Sequence, residues 1–293
     1  MVENPGWGRK LYLYTNSTLL IVLALTCFFP ILHVLALSFS SNTAIMRGAV
    51  TLWPVEFQTL AYEYVLNSKL FMNAMGVSMK RLLIGTTLQM IMIVTLAYPL
   101  SKESAHFRWR TLYVWVLFIT LVLNGGLIPT YMTIQKLGLM DTIWAITIPN
   151  AVPVFSVVLL LNFFRGIPKE LEEAAFIDGA GHVTTLFRIF LPLSLPALAT
   201  LLLFSLVFHW NSWFDGIIYM NQVSHYPLQS YLHSVVIMHD PALTSVDENL
   251  TRNLSNRTLK AAQIFIGALP ILIVYPFLQK YFMKGIVLGS VKG

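Results

Sequence analysis

Six stretches of this chain are long and apolar enough to read as membrane-spanning helices: roughly residues 18–39, 80–100, 111–132, 143–163, 198–220 and 261–282. A hydrocarbon core of about 30 Å needs about 20 helical residues to cross it, and each stretch supplies them. Lipid offers nothing to free backbone groups, so open sheet and lipid-facing loops are excluded at that depth. Composition agrees where it matters: 11% of residues are charged, against about 25% in a soluble domain. The expected fold class is all-α integral membrane, a single six-helix transmembrane domain over residues 1–293. The first run is long and no small-residue cleavage pattern closes it, so it reads as a span rather than a removable leader. Cys27 is the single cysteine and lies in that run as a small apolar residue, so no intrachain disulfide is expected.

Charge sets the orientation. With the N-terminus inside, the cytoplasmic segments hold Arg9, Lys10, Lys102, Arg108, Arg110, Arg165, Lys169, Arg188, Lys280, Lys284 and Lys292, and the opposite segments hold Arg47, Lys69, Lys136, Arg252, Arg257 and Lys260. That is 11 against 6, or 8 with Lys80 and Arg81 at a span's edge. Cytoplasmic loops carry the Lys/Arg excess, so both termini are expected inside. The net charge of +6 therefore reads as topology, and no nucleic-acid partner is expected.

Between the fourth and fifth stretches lies the most polar internal segment, residues 164–192. Pro168 suits a first helical turn. Glu170, Glu172 and Glu173 follow where a helix dipole favours acids, and Gly179 is a natural stop. The segment reads as a helix from Pro168 to Asp178, then a second amphipathic piece from His182 to Phe190, ended by Pro192 and Pro196. Such a bent elbow between two spans is a handle for a partner. Ala174 and Ala175 would let a foreign surface come close.

Glu173-Ala174-Ala175, Gly179 and then Ile189-x-Leu191-Pro192 resemble, without a gap, the EAA loop of permease subunits in binding-protein-dependent ABC importers. Gly125-Gly126-Leu127-Ile128-Pro129-Thr130-Tyr131, Asn211-x-Trp213-Phe214 and Tyr275-Pro276-Phe277-Leu278-Gln279-Lys280-Tyr281-Phe282 are similar to the carbohydrate-uptake, maltose-permease-like branch, alginate importers among them. The resemblance covers nearly the whole chain, least clearly its first fifty residues. It implies the type I importer fold in a bacterial inner membrane. It implies a second, homologous permease as partner, two ATPase subunits and an extracytoplasmic sugar-binding protein. The coupling residues would be Glu172, Glu173, Ala174, Ala175, Asp178, Gly179, Ile189, Leu191 and Pro192. The outer loop 221–260 would touch the binding protein, and the tail after Met283 would reach toward the ATPases or simply fray.

Candidate pathway residues follow from chemistry at the spans. Lys80 and Arg81 lie at the outer mouth if the second span runs to Pro99; they either snorkel to lipid headgroups or form a basic rim for an anionic solute. Asn124, Gly125, Gly126, Pro129 and Tyr131 in the third span, and Pro149, Asn150 and Pro153 in the fourth, interrupt helices. Transporters build sites from such interruptions, although a packing kink has the same signature. Trp210, Asn211, Trp213 and Asp215 end the fifth span. Sugars stack on aromatic rings and bond amides and carboxylates, while an interfacial aromatic belt is the plainer reading. His33 reads as a hydrogen-bonded or interfacial residue. His225, His233 and His239 have no compact metal-site spacing, so no metal is expected.

No phosphate-binding Gly-x-x-x-x-Gly-Lys-Ser/Thr loop occurs. This chain is expected to bind no cofactor and to be no enzyme, with ATP and its Mg on the partner ATPases. Transport would proceed by rocking of the third to fifth spans about a midplane site, with the elbow moving as one piece. The function expected is import of an oligo- or polysaccharide, acidic and uronate-like on the cue of Lys80, Arg81 and the pI of about 9.4. The alternative is an intramembrane glycosyl or lipid transferase using Asp215 or His209.

Overall fold

The computed structural model describes residues 7–103, 107–123, 125–238 and 255–290, the side chains of 277–290 excepted. Asn124, His239 and the Asp240–Glu248 stretch lie outside the described residues, as does the end of the tail beyond Ser290. The described secondary structure is entirely helical. Three helices are long and apolar enough to cross a membrane by themselves: α1 (Trp7–Ser38), α4 (Lys69–Ser101) and the Asn256–Pro276 part of α15 (Asn256–Ser290). Three further pairs of helices are long and apolar enough only when taken together, and each pair is bent. These are α5 (Arg110–Val122) with α6 (Leu127–Lys136), α7 (Ile143–Thr147) with α8 (Val154–Arg165), and the run α10 (His182–Thr185) to α11 (Leu191–Leu193) with α12 (Leu195–Asn211).

These helices and bent pairs overlap the six expected stretches, with three differences. α4 starts at Lys69 rather than near residue 80, so Lys80 and Arg81 lie roughly 16 Å inside the helix at 1.5 Å per residue. The third crossing is interrupted between Leu123 and Leu127, and Gly126 takes φ 83 there. The fifth crossing begins at Leu195 and stops at Asn211; α13 (Phe214–Tyr219) is a separate helix.

The chain divides into two compact units. The first holds residues 1–69 and 234–268. It contains α1, α2 (Asn42–Met46) and α3 (Leu60–Asn67). Ser41 caps α2, its hydroxyl accepting from the Ala44 amide at 3.1 Å, and both Ser41 and Thr43 donate to Glu56. These bonds hold the Glu56 carboxyl below its ordinary range, the Ser41 bond first. Phe39 stacks between Phe57 and Tyr62, at 5.1 and 4.5 Å. The segment 40–69 is therefore partly helical and tied down. His33 bonds the Thr51 carbonyl at 2.6 Å. Most of α1 is exposed.

The second unit holds residues 70–233 and 269–293. Its core joins Ile93, Ala97, Tyr98 and Leu100 of α4 to Val157, Leu160, Leu161 and Phe164 of α8, with Phe190 and Leu201. A smaller cluster joins Ile134, Ala145, Ile146, Tyr219 and Met220. In lipid there is no water to expel between helices, so close packing and interhelical hydrogen bonds must hold the bundle. α4 supplies both. Its buried stripe Arg81, Gly85 and Gln89, spaced four apart, is one helical face. Gln89 donates to the Asn150 carbonyl at 2.7 Å and accepts from Ser205 at 2.5 Å. Asn150 ends the 3-10 turn Ile148–Asn150, where Pro153 lies ahead and the ladder breaks. Gln89 thereby satisfies a carbonyl that neither the helix nor lipid would. At Gly85 a Cβ would fall within 2.6 Å of the His209 Nε2, so only glycine lets α4 and α12 come this close.

Gln89→Leu should lower the stability of the detergent-purified protein by about 1–3 kcal/mol, since it orphans the Asn150 carbonyl and the Ser205 hydroxyl. Ser205→Ala should cost nearer ~0.6 kcal/mol, the average for interhelical bonds in membranes. Thermal unfolding of the two variants beside the parent checks the order.

Candidate functional site

Two constructions stand out in the second unit, an elbow and a cleft. The elbow starts where Pro168 takes an extended ψ of 131 and caps α9 (Lys169–Ile177). It turns at Gly179, whose φ is 80. Ala180 donates to the Ala175 carbonyl at 2.9 Å and Gly179 to that of Phe176 at 3.0 Å, the paired bonds of a Schellman ending. A Cβ at Gly179 would meet nothing within 4 Å, so the backbone angle, not crowding, demands glycine. The chain then enters α10 and a widened turn in which the Leu191 amide bonds the Leu186 carbonyl, five residues back. The missing amide of Pro192 is absorbed in this stretch. The expectation that Pro192 and Pro196 end the second arm is corrected: the run continues to Leu193 and breaks at Ser194. The run His182–Leu193 and Leu195–Asn211 meet at 82°. Both prolines sit in first turns, where they are tolerated.

The elbow sorts its residues by side. Glu173, Ala174, Asp178, Gly179 and Pro192 are exposed, together with Ile177, Val183 and Phe187 at 85%, 71% and 62%. Ala175 is buried, which corrects its reading as a residue a partner approaches; it fills the inner face of α9. Ile189 and Leu191 pack on the buried cluster of α4 and α8. Glu172 also turns inward, to Lys102 at 2.6 Å.

The cleft lies at the break after α12. About 410 Å³ of space is lined by Val207, Phe208, Asn211, Ser212, Trp213, Phe214 and Asp215. Three of the residues expected there from sequence meet in it: Asn211, Trp213 and Asp215. Trp213 stacks on His233 at 3.9 Å and 6°, and the Ser230 hydroxyl donates to the Trp213 carbonyl at 2.6 Å. Behind the cleft lies Arg81, fully buried. Its guanidinium grips both Asp215 oxygens, one at 3.0 Å, and donates to the Ser212 carbonyl at 3.1 Å. Ser212 caps the C-terminal end of α12, where carbonyls are unpaired and a cation is favoured. Asp215 lies in the first turn of α13, where an anion is favoured. One side chain therefore stitches both sides of the break.

This corrects the reading of Arg81 as part of a basic rim. A charge that deep in an apolar helix survives by pairing, and its fork is occupied. Lys80 is exposed on α4. Trp210 is buried away from the cleft. Tyr131 stacks near Tyr219 at 6.4 Å, and Asn150 offers its carbonyl to Gln89. Asp215 is engaged by Arg81 and does not stand free as an intramembrane acid, and His209 is fully buried against Gly85. His225 pairs with Asp141 at 3.0 Å. Sequence reasoning did not find the roles of Gln89, Gly85 or Lys102. It did contain one usable signal: Asp215 is the single carboxylate within the six apolar stretches, and thus the natural partner for Arg81.

Long apolar helices, bent apolar pairs and a largely apolar cleft with Asn211, Ser212 and Asp215 in its lining are the features of a multi-pass membrane protein. Residues 107–287 match the family described as binding-protein-dependent transport system inner membrane component, and the chain belongs to that family. It is 40% identical over 264 residues to Protein LplC of Bacillus subtilis (strain 168), covering 90% of this chain and 89% of the relative. It is 37% identical over 275 residues to the polygalacturonan/rhamnogalacturonan transport system permease protein YtcP of the same organism, covering 94% and 96%. Among solved structures, a chain from a bacterial ABC transporter involved in the import of the acidic polysaccharide alginate superposes with a TM-score of 0.88 at 32% identity, covering 96% of this chain and 100% of that one. The resemblance carried by Glu173-Ala174-Ala175 and Gly179 is borne out at the level of family.

Removing one partner of a buried ion pair costs about 3–5 kcal/mol, whereas replacing both by apolar residues is often neutral. Arg81→Met or Asp215→Leu alone should therefore depress yield and thermal stability in detergent, and the Arg81→Met/Asp215→Leu double variant should recover most of the loss. Equal stability of all three variants would show that the pair holds nothing together.

Proposed function

We propose that this chain is a permease subunit of an ATP-driven importer for oligo- or polysaccharides with acidic, uronate-type residues, seated in a bacterial cytoplasmic membrane with both termini inside. The elbow carries this reading. It is a short, rigid, well-terminated bend that presents Glu173, Ala174, Asp178 and the apolar Ile177, Val183 and Phe187 outward. Its inner face is packed on the ends of α4 and α8. A surface of that kind transmits a push without deforming. The acidic substrate class is supported by the polygalacturonan/rhamnogalacturonan name of one relative and by the alginate transporter whose chain superposes here. The aromatic and amide lining of the cleft suits sugar rings and hydroxyls.

In this reading the elbow docks on an ATPase subunit, one of two, which hold ATP and Mg. A second, homologous permease closes the pathway, and an external sugar-binding protein delivers the solute. Nucleotide and loaded binding protein bias the same two states of the bundle, which couples the two sites. The solute passes the break at Asn211–Asp215. Arg81 neutralises Asp215 there, so the cleft presents no unpaired carboxylate to an anionic sugar.

Tagged protein expressed with its partners should retain both ATPases on purification. Glu173→Lys and Gly179→Pro should release them, while the partner permease stays bound. Uptake in proteoliposomes should be seen with oligogalacturonate or alginate oligomers and not with neutral maltodextrins. ATPases that stay bound in both variants would overturn the docking role of the elbow. Uptake of the neutral oligomers alone would overturn the acidic substrate class.

A further inference from the structure

The end of α4 and the start of α9 carry crossed charges. Lys102 and Glu103 follow α4, and Lys169 and Glu172 stand one turn apart on α9. Lys102 Nζ meets Glu172 Oε1 at 2.6 Å, and Lys169 Nζ meets Glu103 Oε1. The sign order fixes the register, because a slip would bring like charges together. The two pairs differ sharply in burial. Side-chain exposures are 10% and 19% for Lys102 and Glu172, but 73% and 59% for Lys169 and Glu103. Exposed pairs contribute little, so the buried pair carries the contact.

Lys102 reaches further than its carboxylate. Its ammonium lies 4.1 Å from the ring centre of Tyr98 and 4.0 Å from that of Phe190, within the range of a cation–π contact. Tyr98 belongs to α4, Glu172 to the first arm of the elbow and Phe190 to the second. The two rings also pack edge to face at 5.1 Å. Burial pushes the ammonium below the ordinary lysine range, and Glu172 opposes that shift. A cleft of about 520 Å³ opens beside the pair, so the elbow is not held there by close packing alone.

We propose that Lys102 is the positioning residue that delivers displacement of the elbow to α4, the helix whose Arg81 and Gln89 hold two of the breaks. The inference rests on the reading of the elbow as the ATPase contact. It assigns Glu172 to the inner side of the handle and leaves Glu173 for the partner. A cation bonded to both arms makes them move together, and its place immediately beyond α4 ties that motion to the helix axis. Without it the elbow can tilt while α4 stays still.

The test uses the complete complex, with partner permease, ATPases and binding protein, reconstituted in liposomes and supplied with alginate oligomers. Three quantities are read: ATPase retention on purification, stimulation of ATP hydrolysis by loaded binding protein, and the coupling ratio, sugar imported per ATP hydrolysed. Lys102→Glu and Glu172→Lys should each retain the ATPases and lose stimulation and coupling ratio by roughly two- to thirtyfold, the range for mutations along a coupling route. The Lys102→Glu/Glu172→Lys double reversal should restore both in part, since it remakes the ion pair to the first arm but not the cation–π contact with Phe190, and Lys169→Ala should leave them at parental values. If Lys102→Glu fails to assemble, Lys102→Met, which keeps the stem in place, should assemble with its ATPases, at some loss of thermal stability, and show a reduced coupling ratio. Retained ATPases with a parental coupling ratio in Lys102→Met, or a double reversal no better than the single ones, would overturn the role of Lys102 alone. A parental complex that retains no ATPase would overturn the docking reading and this inference with it.

Discussion

A helix broken inside lipid leaves carbonyls that no water reaches, and the side chains of one unbroken helix answer for them here. Gln89 donates to Asn150 at the break before α8, and Arg81 donates to Ser212 at the break after α12. Both project from the same face of α4, with Gly85 between them. These two breaks persist because α4 is continuous and polar along this single stripe. Such interruptions are tolerated only where protein satisfies the backbone. The rest of the second unit, its apolar cluster included, packs around that arrangement.

The elbow depends on the same division between continuous and interrupted elements. Its first arm ends by the backbone angle of Gly179, and its second arm passes the missing amide of Pro192 through a widened turn. Neither device needs a partner to be stable. The outward side is therefore free of structural duty, and the inward side carries all of it, through Ala175, Phe190 and the Lys102–Glu172 pair. Glu172 and Glu173 are neighbours in sequence and do opposite things, which a repeat of 3.6 residues per turn makes natural.

Much of this was legible in the residues. Six apolar runs marked the long helices and the bent pairs, because span length is dictated by lipid thickness. Pro168 and Gly179 gave the ends of α9, because their backbone requirements are local. The pattern Glu173-Ala174-Ala175 to Pro192 led to the correct family. What could not be read was whatever depends on a partner far along the chain. Arg81 looked like a rim charge because its position in α4 was misjudged by eleven residues, counting from Lys69 to Lys80. Asp215 looked free because the ion pair spans 134 residues. Lys102 looked like one more topological lysine. The fraying of the fifth crossing into α12 and α13 was likewise hidden, since Trp213 and Phe214 are as apolar as the helix before them.

The meeting of Gly85 and His209 has its own consequence for the history of such chains. The imidazole occupies the place that a methyl group on α4 would need, so the two positions are not independent letters. A lineage that acquired alanine at 85 would have to surrender the ring at 209, in one step or through an intermediate with splayed helices. Exchanges at these two sites should therefore be coupled.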